Sequence, residues 1–148
     1  MKRKALAITL AAAMAMGTCA VTASAADGDK YTIGICQLVQ HEALDAATQG
    51  FKDEVTKELG RRRSLPLTSK NAQGDSNTCS TIINSFVSNN VDLILANATP
   101  ALQAAAAGTS DIPILGTSVT EYGVALGLDD FNGTVGGNIS GNCRPCSP

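Results

Sequence analysis

Basic charge is not in excess, histidine is nearly missing, and no apolar stretch is long enough to cross a bilayer. Eleven Lys and Arg residues stand against thirteen Asp and Glu, which leaves a formal net charge of −2 and an isoelectric point near 5.2. That balance offers no field to draw the chain to nucleic acid. His41 is the single histidine and sits at the start of a helical pattern, so no catalytic or metal-binding role is expected of it. The apolar stretch from Ala5 to Met16 falls short of the ~20 residues that a membrane-spanning helix needs. No G-x-G-x-x-G follows a strand pattern, "GTVGGNISG" has no strand-to-helix context for a phosphate loop, and no serine or cysteine stands with a base. A binder rather than an enzyme is expected, with no cofactor and no metal.

Five cysteines are present without the spacing of a disulfide framework. The first of them, Cys19, lies in the opening "MKRKALAITLAAAMAMGTCAVTASAADGDKY", where three basic residues, an apolar run and small residues make the pattern of a secretory signal peptide. Two processing routes are open. Ala23-Ser24-Ala25 is an A-x-A site whose cleavage removes residues 1–25, whereas Met16-Gly17-Thr18-Cys19 resembles a lipobox, whose processing removes residues 1–18 and lipidates Cys19. Both predict export, to the periplasm or to the cell surface as a lipoprotein. What remains, residues 26–141, amounts to one domain that can bury about two-thirds of its unfolded surface. Cys36 and Cys79 fall in apolar patterns and are expected to be ordinary buried thiols.

Between the ends, strand and helix patterns alternate. "YTIGICQLV" (31–39) is nearly continuous apolar and β-branched, as in a strand buried on both faces. "HEALDAATQGFKDEVTKELG" follows, with Leu44, Ala47, Phe51, Val55 and Leu59 at helical spacing. "SLPLTS" is a weak strand, "NAQGD" a turn, and "SNTCSTIINSFVSNN" a helix that presents Cys79, Ile82, Ile83, Phe86 and Val87 on one side. "VDLILA" is another buried strand, before a helix in "NATPALQAAAAG" with Thr99 as its cap, Pro100 at its first position and Gly108 at its end. "IPILGTSV" supplies a further strand. The alternation predicts an α/β fold, a three-layer lobe of flavodoxin-like or Rossmann-like type with a parallel sheet. In such lobes ligands collect beyond the carboxyl ends of the strands. There the chain places "QLVQH", "NAQGD", "NATPA" and "GTSVTE", which are rich in amides, hydroxyls and glycine and poor in reactive groups.

Taken in order, "IGICQLVQHEALDAATQGF", "NAQGD", "VDLILANATPALQAAA", "DIPILGTSVT" and "GGNISG" resemble the extracytoplasmic substrate-binding proteins of ABC transporters, in the group tied to uptake of tryptophan and other amino acids. The resemblance runs from about Tyr31 to Gly141. It implies one lobe, the amino-terminal one, of a type I periplasmic-binding-protein clamshell. It also implies a small aromatic or branched amino acid as ligand, transporter permease and ATPase subunits as partners, and a possible lipid anchor at Cys19. Carried over by position, the ligand-facing residues are Gln37, Asn71, Gln73, Gly74, Asp75, Ala98, Thr99, Pro100, Thr117, Ser118 and Val119. A ligand carboxylate at the helix start near Thr99 would meet free N–H groups, with hydroxyls of Thr99 and Ser118 beside it, and Asp75 could take an ammonium. Simpler roles compete: Thr99 and Asp75 as helix caps, Asn71 and Gly74 as turn residues.

Two stretches depart from the family. "GRRRSLPLTSK" puts three arginines and Pro66 where an apolar strand is expected, and "NCRPCSP" closes the chain after "GGNISG". Read one base later, codons for the latter can spell Thr-Ala-Asp-Leu-Ala-Pro, a continuation of the family type, so residues 142–148 are expected to be an out-of-frame tail. A zinc site at Cys143 and Cys146 would want four ligands, and no second pair is present. The expected function is solute binding for an ABC importer by a truncated chain. A non-functional fragment and a ligand-sensing module of the same fold are the alternatives.

Overall fold

A computed structural model describes residues 31–59, 65–129 and 131–141. The leader with Cys19, the Arg61–Arg63 run and the tail with Cys143 and Cys146 lie outside the described residues. The elements run β1 (Ile33–Gln37), α1 (Glu42–Leu59), β2 (Leu67–Asn71), α2 (Ser76–Ser88), β3 (Leu93–Asn97), α3 (Thr99–Gly108), β4 (Ile114–Thr117), α4 (Tyr122–Leu126) and β5 (Ile139–Gly141). All pairings are parallel and the strand order is β2-β1-β3-β4-β5. That order is the flavodoxin-like one, which decides between the two lobe types the sequence left open.

Burial follows from the central place of β1 and β3. Every residue of β1 is buried, because it has a strand on each side and helices above and below. Alternation along the strands divides the core in two. Ile33, Ile35 and Leu95 face α1 and pack with Phe51 and Val55, while Cys36, Ile94, Ala96 and Ile114 face α2, α3 and α4. The stripe predicted for α2 is met by buried Cys79, Ile83 and Phe86. In α1 Leu44, Ala47, Phe51 and Val55 of the apolar stripe are half-buried and Leu59 is exposed, and its one buried side chain is the polar Thr48.

At the sheet edges the pattern changes. In β2, from Thr68 to Asn71, every residue is exposed, and Pro66 still contributes by accepting from the amide of Ile33 at 3.0 Å. At the other edge, β5 and the short α4 were not anticipated from sequence. Ile139 pairs with Ile114 across β4, and Tyr122 of α4 is among the largest buried side chains.

Close packing on the α2 side requires a missing side chain at Gly34. A Cβ there would stand 2.6 to 2.9 Å from three ring atoms of Phe86, a buried neighbour with nowhere to move. Gly34→Ala should therefore cost roughly 1–3 kcal/mol by overpacking. The expected readout is a lower urea midpoint at unchanged slope.

Candidate functional site

The parallel register puts four strand ends in one row. Gln37 pairs with Asn71 on one side and Asn97 on the other, and Asn97 pairs with Thr117. Partners in register share a face, so these four polar residues form a rung across the carboxyl edge of the sheet, on the face that α1 covers. Backbone bonds tie the following turns together: Ala72 N to Gln37 O at 2.9 Å, Leu38 N to Asn97 O at 3.2 Å, Gly74 N to Leu38 O at 2.7 Å, and Ala98 N to Thr117 O at 3.0 Å. Gln37 at the end of β1, Gly74 and Ser118 in the turns after β2 and β4, and Thr99 at the start of α3 thus lie along one rim. In this strand order the chain leaves β1 and β3 in opposite directions, and the crevice of a doubly wound fold opens between them.

Each loop is shaped by local bonds. Asn71 Oδ1 accepts from Gln73 N at 2.7 Å, a short side-chain turn that carries Gln73 (φ 54°) and Gly74 (φ 86°) through the left-handed region. Asp75 then caps α2, accepting from Asn77 N and from Thr78 Oγ1, both at 2.9 Å. Those bonds, the Asn77 amide first and the Thr78 hydroxyl second, hold its carboxyl below the ordinary value of 3.8. The capping alternative for Asp75 is therefore realised in the structure.

For Thr99 it is not. The cap of α3 is Ala98, which makes no side-chain cap bond, and Thr99 and Pro100 are the first two helical residues. The first turn closes instead through Leu102 N to Ala98 O at 3.0 Å, with Ala98 at φ 95°, ψ 158°. That backbone region belongs to glycine, and an alanine holds it only when its surroundings over-determine it. Thr99 is left half-buried with its hydroxyl unbonded among the described residues, as are the hydroxyls of Thr117 and of exposed Ser118 (φ 55°).

Two predicted residues point inward. Val119 is 6% exposed and packs in the core shared by α2, α3 and α4. Gln37 is also 6% exposed, and its Nε2 donates to Val39 O at 2.9 Å and to Asp45 Oδ1 at 2.6 Å while its Oε1 accepts from Thr48 Oγ1 at 2.6 Å. Thr48 Oγ1 accepts in turn from Nδ2 of fully buried Asn97 at 2.9 Å, and that amide also donates to Leu44 O at 2.8 Å. Asn97 Oδ1 has no partner among the described residues. Sequence reasoning missed Asp45, Thr48 and Asn97. The one available signal was a threonine within the apolar stripe of α1.

Beside this network a polar cavity of about 310 Å³ opens between α1 and β2, bounded by Gln37, Gln40, Asp45, Ser69 and Asn71. Cys36 and Cys79 are buried free thiols on the opposite face of the sheet. Burial first, and the adjoining Cys79 second, push the Cys36 thiol up to about 12; burial likewise raises Cys79. Both stay protonated at neutral pH and serve as core residues. Among the described residues no group of three or more His, Cys, Asp or Glu could hold a metal ion, and no helix is long and apolar enough to cross a membrane.

Two outcomes are expected. Ala98→Gly should raise stability by about 1 kcal/mol, since relief of a forbidden conformation outweighs the extra freedom glycine gains in the unfolded chain; thermal melts of the two proteins check it. Because the folded-state pKa of Asp75 lies below its unfolded value, the cap's ionised contribution is complete above pH 3.8 and disappears as pH falls through the lowered value. Melts across that range should show a steeper acid loss in the wild type than in Asp75→Asn, which keeps a capping side chain and no longer titrates.

Similarity to known proteins agrees with this geometry. A "Tyrosine-binding protein" of Clostridioides difficile (strain R20291) is 44% identical over 110 residues, which is 74% of this chain and 32% of that protein. A Streptococcus pneumoniae ABC domain solved in complex with L-Trp superimposes with a TM-score of 0.70 at 30% identity, over 78% of this chain and 39% of that one. A ligand-free, open substrate-binding protein with adhesive properties from Clostridium difficile gives 0.68 at 39% identity, over 75% and 38%. This chain thus spans between about a third and two-fifths of the length of these relatives. Residues 32–143 match the family described as ABC transporter substrate binding protein, and it is to this family that the chain belongs.

Proposed function

We propose that this chain is the extracytoplasmic solute-binding component of an ABC importer and that its carboxyl-edge rim takes a small aromatic or branched amino acid. The observation that carries the reading is the convergence of four strand ends on one rim, at the point where the chain leaves β1 and β3 in opposite directions. The first turn of α3 opens there, near the hydroxyls of Thr99, Thr117 and Ser118, which have no bond among the described residues. A zwitterion suits that surface. Its carboxylate would lie against the helix start and the hydroxyls, and its ammonium against amide oxygens of the neighbouring turns. Asp75, occupied with its helix, is the weaker candidate for the ammonium. Relatives named for tyrosine and solved with L-Trp favour an aromatic side chain.

In this reading residues 1–25 or 1–18 are a removed leader, Cys19 is the lipid anchor in the second case, and the permease and ATPase subunits are the downstream partners. One lobe supplies one wall of a clamshell cleft, so affinity should be well below that of a two-lobed protein, where closure buries the ligand on both sides.

Thermal melts of the purified chain with L-tyrosine, L-tryptophan, L-phenylalanine and L-leucine near their solubility limits test the reading. A ligand at ten times its Kd should stabilise the chain by about 1.4 kcal/mol, and the aromatic amino acids should give the larger shifts. No shift with any of the four would overturn amino-acid binding by this chain and favour the fragment reading.

A further inference from the structure

The buried polar residues of the described core gather beneath α1. Gln37 and Thr48 are each 6% exposed and Asn97 is 0% exposed, and replacing such hydrogen-bonded partners with apolar groups of the same shape can be nearly neutral for stability. Among the described residues Asn97 Oδ1 has no donor, so the network is not closed on itself. Its placement points elsewhere. Gln37 ends β1 and Asn97 ends β3, the two strands that flank the crevice, and Thr48 Oγ1 bonds to both, donating at 2.6 Å and accepting at 2.9 Å.

Each bonded residue is followed at once by a rim turn under constraint. After Gln37, Leu38 N bonds to Asn97 O and Leu38 O accepts from Gly74 N; after Asn97 comes Ala98, in a conformation that needs outside support. Asn97 is anchored by Leu44 O and Thr48 Oγ1, and Ala98 by Thr117 O, so the strained peptide is gripped on both sides.

We propose that Thr48 is a positioning residue for the rim: acting through Gln37 and Asn97, and without reaching the ligand, it holds the turns after β1 and β3 in the conformation that binds. Its ligand readout rests on the amino-acid reading above; its conformational readout does not.

The test compares the wild-type chain with Thr48→Val, Thr48→Ser and Asp45→Ala by residue-resolved amide exchange and by amino-acid titration. In Thr48→Val, exchange at Leu38 and Ala98 should rise at least about tenfold more than at Ile94 and Leu95 in the strand centre, the mark of local rather than global opening. Amino-acid affinity should fall about tenfold in parallel, since a rim only fractionally in its binding form binds in proportion to that fraction. Thr48→Ser, which restores the hydroxyl, should return both to near wild type. Asp45 is exposed, so Asp45→Ala folds whatever becomes of the valine variant, and it should loosen Leu38 alone. Equal acceleration at rim and strand centre, or failure of serine to rescue, would reduce Thr48 to a stability residue and end the proposal. If the wild type binds no amino acid, the functional reading fails, and the exchange pattern still decides the role of Thr48.

Discussion

Gln37 is in register with Asn71 on one side and Asn97 on the other, and Asn97 is in register with Thr117. Those pairings bring four strand ends to the same height, so every loop that leaves them starts from one line. A slip by one residue in any pair would turn its side chains to the opposite face and exchange the two halves of the core. The rim is therefore a by-product of how the hydrophobic faces are sorted, with Ile33, Ile35 and Leu95 against α1 and Cys36, Ile94 and Ala96 against α2 and α3. Position at the rim is set by the apolar core, and chemistry is added by whichever residue follows each strand.

Among the described residues, buried amide and hydroxyl side chains of Gln37, Thr48 and Asn97 then enter the α1 face of the core at one level. The rows below the carboxyl edge on the α1 side hold Ile33, Ile35 and Leu95, and the last holds Gln37 and Asn97, bridged by Thr48. Hydrogen bonds in a dry interior have narrow geometry, so they fix orientation where dispersion contacts would only fix distance. Placing them at the end of the strands gives directional control to the backbone that the loops inherit. The strained conformation of Ala98, one residue further on, is where that control is spent.

Much of this was legible beforehand because it rests on runs and spacings. Apolar runs marked β1 and β3, helical spacing in 76–90 marked α2, and their alternation gave the parallel sheet and hence the rim. The weak strand around Pro66 formed as β2 because an edge strand needs only one partner and tolerates a proline at its start. β5 was not legible, since three residues ending in glycine become a strand only through pairing with β4. The cap of α3 was misplaced by one residue because a good capping side chain, Thr99, stands next to an alanine whose backbone takes the role without any side-chain bond. Gln37 was carried over as ligand-facing from the family resemblance, and only the partners of its amide, on a helix eight and eleven residues ahead, turn it inward.

The exposed strand β2 bears on how the lobe behaves in company. A sheet edge offers a row of main-chain donors and acceptors to any other extended chain, and flat apolar edges are where cross-β growth starts. Here Thr68, Ser69, Lys70 and Asn71 present hydroxyls, an ammonium and an amide in succession, and the Lys70 charge opposes stacking of this edge on its own copy. A polar, charged edge of this kind can stay exposed at high protein concentration without recruiting neighbouring copies into a continuous sheet.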